Sequence, residues 1–124
     1  MTTPLSVLLV DDDPAMRDMF QMVMKHHQIE LTAVQDAETA LQYLAGNQPN
    51  IIVLDLFLPG LDGYQMLKQM RKKSLAPNAR VVAITAYYTT DTEQETLNGG
   101  FDGYLPKPIN TAQIVPYLES LIAG

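Results

Sequence analysis

The sequence predicts an α/β fold, a parallel sheet with helices on both faces. Three observations predict it. Short, nearly continuous apolar runs, SVLLV at residues 6–10, IIVL at 51–54 and VVAI at 81–84, alternate with stretches of helical periodicity. A strand apolar on successive residues is buried on both faces, as the central strands of parallel sheets are. Each run also stops at a polar residue, Asp11, Asp55 or Thr85. The alternation requires right-handed crossovers that lay helices over the sheet.

The elements follow in order. The first strand meets the triplet Asp11, Asp12 and Asp13. Pro14 suits the first turn of a helix, where its missing N–H costs nothing. Met16, Met19, Phe20, Val23 and Met24 recur at helical spacing through about Lys25. Residues 29–34 form a second, weaker strand. Asp36 caps a helix carrying Ala37, Ala40, Leu41 and Leu44, and Gly46 ends it.

The third strand, IIVL, ends at Asp55. Pro59 with Gly60 and Asp62 with Gly63 mark a tight loop. A helix from about Tyr64 carries Met66, Leu67 and Met70 on its apolar side. It ends in Arg71, Lys72 and Lys73, whose charges suit a helix C-terminus. The fourth strand, VVAI, ends at Thr85. Thr92 with Glu95 predicts a capping box for a short helix that Gly99 and Gly100 terminate. Residues 103–105 form a brief fifth strand. Pro106 at its end is tolerated on an edge strand. Asn110 with Gln113 starts a last helix bearing Ile114, Leu118 and Leu121, and Pro116 inside it predicts a kink or a late start.

Length and composition bound the function. The 124 residues make one domain, without repeat or linker, and 47% of them are apolar, enough to bury a core. The expectation is a single domain over residues 1–124 with no output domain. Fourteen acids against eight bases give a net charge of −6. That argues against a direct nucleic-acid grip, which needs a basic face. The absence of cysteine excludes a disulfide scaffold, a thiol catalyst and a Cys-ligated metal. No apolar run approaches the ~20 residues that span a bilayer, and the N-terminus carries no leader pattern. A soluble cytoplasmic protein without membrane contact is expected.

Ligands of an open α/β sheet bind beyond the carboxyl ends of its strands. Those positions hold Asp11, Asp12 and Asp13, then Asp55, then Thr85, then Lys107 and Pro108. Crowded carboxylates repel one another unless a cation intervenes. Oxygen-only ligands suit a hard cation, Mg²⁺ or Mn²⁺. A lysine and a threonine opposite the metal complete a phosphoryl cradle, so the chemistry implied is phosphoryl transfer. Each residue has a plainer use as a cap or a loop residue. Their placement after successive strands, in order, favours a shared site.

These residues resemble a known family. The chain is similar to response-regulator receiver domains of two-component signalling, close to the stand-alone chemotaxis type. The resemblance runs from SVLLVDDDP through IIVLDLFLPGLDGY and VVAITAY to GFDGYLPKPIN. It implies the flavodoxin-like, doubly wound (βα)5 fold with strand order 2-1-3-4-5. It implies a phosphoacceptor signalling protein, not an enzyme beyond its own phosphorylation and dephosphorylation. Asp55 matches the phosphoacceptor, supplied by a sensor histidine kinase or a histidine phosphotransfer protein. Asp12 matches a direct Mg²⁺ ligand and Asp11 one acting through water, with Asp55 and the backbone carbonyl of Phe57 completing the metal site. Thr85 matches the hydroxyl that moves toward the phosphoryl group, Ala86 the small neighbour that leaves the acceptor open, and Lys107 the phosphate-pairing lysine. The bond between Lys107 and Pro108 is a candidate cis peptide. Tyr104 matches the aromatic switch whose ring swings inward when Thr85 moves. The face of the fourth helix, fifth strand and fifth helix would then bind a downstream protein or a second copy, though Pro116 puts the usual dimer face in doubt.

Two other readings stand beside this one. Asp11 and Asp13, spaced by one residue after an apolar strand, resemble the nucleophile and acid/base of haloacid-dehalogenase-type phosphatases, which leaves Asp55 unexplained. A receiver-like docking module that never takes phosphate is the third. Around the site, Asp13 reads as helix-entry charge. Bulky Phe57 and Tyr87 predict slow hydrolysis of an aspartyl phosphate by crowding the attacking water. Met22 lies on the polar side of the first helix and is a weak candidate contact for a phosphodonor. His26, His27 and the basic cluster of Lys68, Arg71, Lys72 and Lys73 read as solvated helix ends.

Overall fold

Alternate residues of the apolar runs face opposite sides of one sheet, and helices cover both sides. This is seen in a computed structural model that describes residues 4–122. The strands are β1 (Ser6–Val10), β2 (Glu30–Val34), β3 (Ile51–Asp55), β4 (Arg80–Thr85) and β5 (Gly103–Pro106). The helices are α1 (Pro14–His26), α2 (Ala37–Leu44), α3 (Gly63–Lys72), α4 (Thr92–Asn98) and α5 (Thr111–Ile122). All strand pairs are parallel, in the order β2-β1-β3-β4-β5. The expected doubly wound topology is therefore the one observed.

The two faces make two cores. Leu8, Val10, Ile52, Leu54, Val81 and Ala83 pack under Ala40 and Leu44 of α2 and Met66 and Met70 of α3. Val7, Leu9, Ile51, Val53, Val82 and Ile84 pack under Phe20 and Met24 of α1 and Ile114 and Leu118 of α5. The alternation in the sheet decides which residue enters which core. Phe20 is fully buried, and truncating such a ring typically costs about 3–5 kcal/mol. Met16, Met19 and Val23 pack at the edge of the same core, while Met22 stands out in solvent.

Side-chain caps set most helix starts. Asp13 Oδ1 accepts from the Ala15 N–H, Asp36 Oδ1 from Thr39 and Asn110 Oδ1 from Ala112. Two expectations need correction. Thr92 forms no capping box, because α4 already begins there and Asp91 is the residue before it. The Thr92 hydroxyl instead accepts from the Thr89 N–H at 2.7 Å, and the Glu95 N–H finds the Asp91 carbonyl. The capping box sits at Asp62 and Gln65, which bond each other's backbone N–H at 2.9 Å and launch α3. Nor does α5 start late. It runs from Thr111 with Pro116 inside. The donor that proline lacks would have served Ala112 one turn earlier, and both residues are exposed, which leaves that carbonyl open to solvent.

Among the described residues, no helix is long and apolar enough to cross a membrane.

Candidate functional site

The C-terminal edge of the sheet gathers the polar residues that end its strands. Asp11 follows β1, Asp55 closes β3, Thr85 closes β4 and Lys107 follows β5. Backbone bonds fix each one. The Asp11 N–H donates to the Val34 carbonyl, Leu56 N–H to Ile84 and Lys107 N–H to Thr85, the last at 2.8 Å. Glycine at position 63 lets α3 begin directly beneath the end of β3. A Cβ there would lie 2.7 Å from the Asp55 carbonyl oxygen, closer than packed atoms approach.

Each carboxylate is held by its own neighbours. The Asp13 N–H donates to Asp11 Oδ1 and the Phe57 N–H to Asp55 Oδ1, both at 2.9 Å. Arg17 Nη1 donates to the Asp11 backbone carbonyl at 2.9 Å and ties α1 to the end of β1. Lys107 Nζ then bridges the two acids, 3.0 Å from Asp55 Oδ2 and 3.0 Å from Asp11 Oδ2. The contact to Asp55 is aligned as a hydrogen bond, and the contact to Asp11 is not. Asp11 Oδ2 is thus buried beside a cation but without a donor aimed at it.

Burial pushes the Asp11 carboxyl above its ordinary pKa, more than the Asp13 N–H and the neighbouring Lys107 ammonium pull it down. Burial works against the Lys107 charge, yet its bonds and charges with Asp11 and Asp55 outweigh this and hold the ammonium above its ordinary value. The edge is therefore a net acidic cluster, three carboxylates around one ammonium, with spare acceptor capacity.

That capacity fits a hard cation. Carboxylate oxygens of Asp11, Asp12 and Asp55 lie within 4.8 Å of one another. Asp12 is exposed, Asp11 and Asp55 are buried, and Asp11 Oδ2 has the Lys107 ammonium beside it but no aligned hydrogen bond. Oxygen donors with water access at one side suit Mg²⁺, which keeps several waters of its own. Asp13 is not one of the converging carboxylates; its side chain is spent on capping α1.

The remaining site residues divide. Thr85 is fully buried, and its hydroxyl is engaged with the backbone of Tyr87, accepting from the N–H at 3.0 Å and donating to the carbonyl at 3.3 Å. Ala86 is exposed, so nothing bulky stands there. Phe57 and Tyr87 are exposed and meet edge to face with ring centroids 5.4 Å apart. Tyr104 is 9% exposed, packs into the α2–α3 core and buries a hydroxyl that has no partner. Its ring is thus already turned inward. The bond between Lys107 and Pro108 is cis, as expected.

Some residues of this edge escape a reading of the sequence. Arg17 and Gly63 support the site through backbone contacts that no motif announces. Tyr117, on α5, accepts the Tyr104 N–H at 2.9 Å. The histidines lie apart: His26 and His27 close α1 at its far end and stack edge to face.

Comparison with known proteins agrees with this fold. Residues 7–119 match the family model described as the response regulator receiver domain. An uncharacterised 14.6 kDa protein of Leptolyngbya boryana is 29% identical over 93% of this chain and 88% of its own length. The response regulator MprA of a Mycobacterium species is 30% identical over 96% of this chain, which spans only 51% of that protein. The chain likewise spans about half the length of the protein PetR of Rhodobacter capsulatus and of the response regulator Rre1 of Synechocystis. The receiver domain of the Francisella response regulator 1452 superposes with a TM-score of 0.86, at 29% identity over 96% of this chain and 97% of that one.

Proposed function

Because this chain belongs to the response regulator receiver domain family, we propose that it accepts a phosphoryl group on Asp55 from a phosphohistidine and passes the change to a partner-binding face. The donor is a sensor histidine kinase or a histidine phosphotransfer protein. The observation that carries the reading is the bridge from Lys107 to both Asp55 and Asp11 at the mouth of a three-carboxylate cluster. Its role is signalling rather than turnover of a substrate.

The step balances simply. An Asp55 carboxylate oxygen attacks phosphorus, the new O–P bond forms as the N–P bond breaks, and the imidazole leaves with that electron pair. Positioning and charge neutralisation carry such a transfer. The Phe57 N–H holds one Asp55 oxygen and Lys107 the other, so the nucleophile is fixed in the pocket. Lys107 also faces the incoming phosphate with a cation already held in place. Asp11, Asp12, Asp55 and the Phe57 carbonyl would hold Mg²⁺, with Mn²⁺ the other hard cation of this class. When bound, that ion offsets charge on the transferring oxygens.

The product is an acyl phosphate whose charge approaches −2 at a site that held −1. Thr85 would then exchange its bonds to Tyr87 for one to the phosphoryl oxygens. Tyr104, whose ring lies in the adjoining core, would hold that rearrangement on the α4–β5–α5 face. That face is where a downstream protein or a second copy would bind.

The test is incubation with Mg²⁺ and acetyl phosphate, read by intact mass. The protein should gain one phosphoryl group and Asp55→Asn none. A phosphatase using Asp11 and Asp13 would turn the donor over without Asp55 and fail in Asp11→Asn. A docking module would show neither behaviour.

A further inference from the structure

The basic face of α3 has no acidic partner among the described residues. Lys68, Arg71, Lys72 and Lys73 are all exposed, and among the described residues none lies within ion-pair distance of a carboxylate. They are four of the eight cations in a chain of net charge −6. Cations in a last helical turn answer the helix dipole, which accounts for Arg71, Lys72 and Lys73. It does not account for Lys68, at mid-helix, or for the shape beside it.

Clefts flank Lys68 on both sides. One, of about 370 Å³, lies between α3 and the end of α4. Leu67 and Tyr64 form its apolar wall, Lys68 and Arg71 its rim, and Gly99 and Gly100 its far side. The glycines make this seam close. A Cβ at Gly99 would lie 3.0 Å from the Tyr64 ring, and Gly100 takes a φ of +105° that suits glycine. The other cleft, of about 400 Å³, holds Lys68, Lys72 and Lys73.

We propose that this face docks a short acidic segment of a partner protein that carries one bulky apolar side chain. The apolar group enters the α3–α4 cleft, and carboxylates on either side meet Lys68 and Arg71, with Lys72 and Lys73 extending the contact. Charge complementarity selects the acidic segment, and the apolar wall supplies an anchor that charge alone lacks. A broad anionic surface fits less well. Away from these cations the chain carries −10, so a membrane or a nucleic acid reaching past α3 meets repulsion. The face is separate from the Asp55 edge and stands whether or not Asp55 is phosphorylated.

The test is fluorescence anisotropy at low salt with a labelled peptide of aspartates and glutamates around one central leucine. Binding should weaken by about tenfold or more in the double variant Lys68→Glu, Arg71→Glu, and in raised salt. A charge-matched control, Lys25→Glu with Arg80→Glu, should bind as the unmodified protein does. Replacing the leucine by aspartate should also weaken binding, and amide resonances of Gly99 and Gly100 should shift on titration. Circular dichroism checks that the variants remain folded. Equal loss in the charge-matched control, indifference to the leucine, or no binding at all overturns the proposal. So does capture of phosphatidylserine vesicles or single-stranded DNA as readily as the peptide.

Discussion

Lys107 Nζ donates to Asp55 Oδ2 at 3.0 Å although 52 residues separate them in sequence. The contact exists because β5 is laid beside β4 and its end reaches the edge where β3 stops. The same ammonium stands 3.0 Å from Asp11 Oδ2, so one cation offsets two buried acids.

Removing that cation should leave two carboxylates facing each other. Lys107→Met is expected to destabilise the fold by about 1–3 kcal/mol, the usual penalty for stranding a buried polar partner. Urea unfolding with and without Mg²⁺ measures it. The loss should shrink in Mg²⁺, because another cation then occupies the cluster. A loss that Mg²⁺ leaves unchanged would argue that Lys107 acts only through packing.

Mg²⁺ should stabilise the unmodified protein for the same reason. Setting aside Asp11, Asp12, Asp13 and Asp55 leaves a charge of only −2, so the excess acidity is local. A ligand bound only by the folded state adds about 2.7 kcal/mol at a hundredfold excess over its Kd. Thermal unfolding should therefore shift upward across millimolar Mg²⁺, and Asp12→Asn should blunt the shift. A melting temperature indifferent to Mg²⁺ would sink the metal assignment.

Much of this site was legible before the fold was seen, for a physical reason. Strands buried on both faces must be apolar throughout, so SVLLV, IIVL and VVAI announce themselves and the polar residues that end them share an edge. The sequence could not announce contacts made by backbone proximity. Gly63 looks like a turn residue, yet its lack of a side chain lets α3 meet the Asp55 carbonyl. Asp62 looks like a loop residue and Gln65 like an ordinary helix position, yet together they form the capping box that starts α3, while α4 has none. Thr92 misleads because its hydroxyl has a competing local donor, the Thr89 N–H. Pro116 suggests a late start as well as a kink, and the late start is absent because proline costs a helix less where the orphaned carbonyl is open to solvent.

The aromatic pair over the site should set the lifetime of the aspartyl phosphate. Phe57 and Tyr87 are 56% and 74% exposed and touch edge to face. Phe57 follows Asp55 by two residues and Tyr87 follows Thr85 by two, so both rings flank the site. Replacing both by serine should speed loss of the phosphoryl group by on the order of tenfold, which corresponds to about 1.4 kcal/mol of barrier. Following intact mass after removal of the donor gives the rate. An unchanged rate would show that the rings do not screen the water.

Asp36 should contribute acid sensitivity. Its carboxylate is held below its ordinary pKa by the Thr39 side chain and then by the Thr39 N–H. A depressed carboxylate pKa adds stability above its unfolded value near 3.8 and loses it as pH falls through the folded value. Stability should therefore decline on acidification below about pH 4. Asp36→Asn keeps a capping oxygen but cannot titrate, so its decline should be shallower. Parallel curves for the two proteins would remove Asp36 from the account.

Tyr117 and Gly103 should behave as a coupled pair. β5 is an edge strand, so an N–H on its outer side has no ladder partner. The Tyr117 hydroxyl takes that role for Tyr104, accepting its N–H at 2.9 Å. It reaches the strand because position 103 has no side chain; a Cβ there would lie 2.5 Å from the hydroxyl oxygen and 3.2 Å from Leu121. Tyr117→Phe should cost about 1 kcal/mol, the net value of one such bond. Gly103→Ala should cost more, since it displaces both the hydroxyl and Leu121. In the double variant the phenyl ring no longer presents the oxygen that clashes, so the two costs should sum to more than the measured loss. Strict additivity in urea unfolding would mean that the hydroxyl and the missing side chain do not share the same space, and that α5 is held to β5 by its apolar contacts alone.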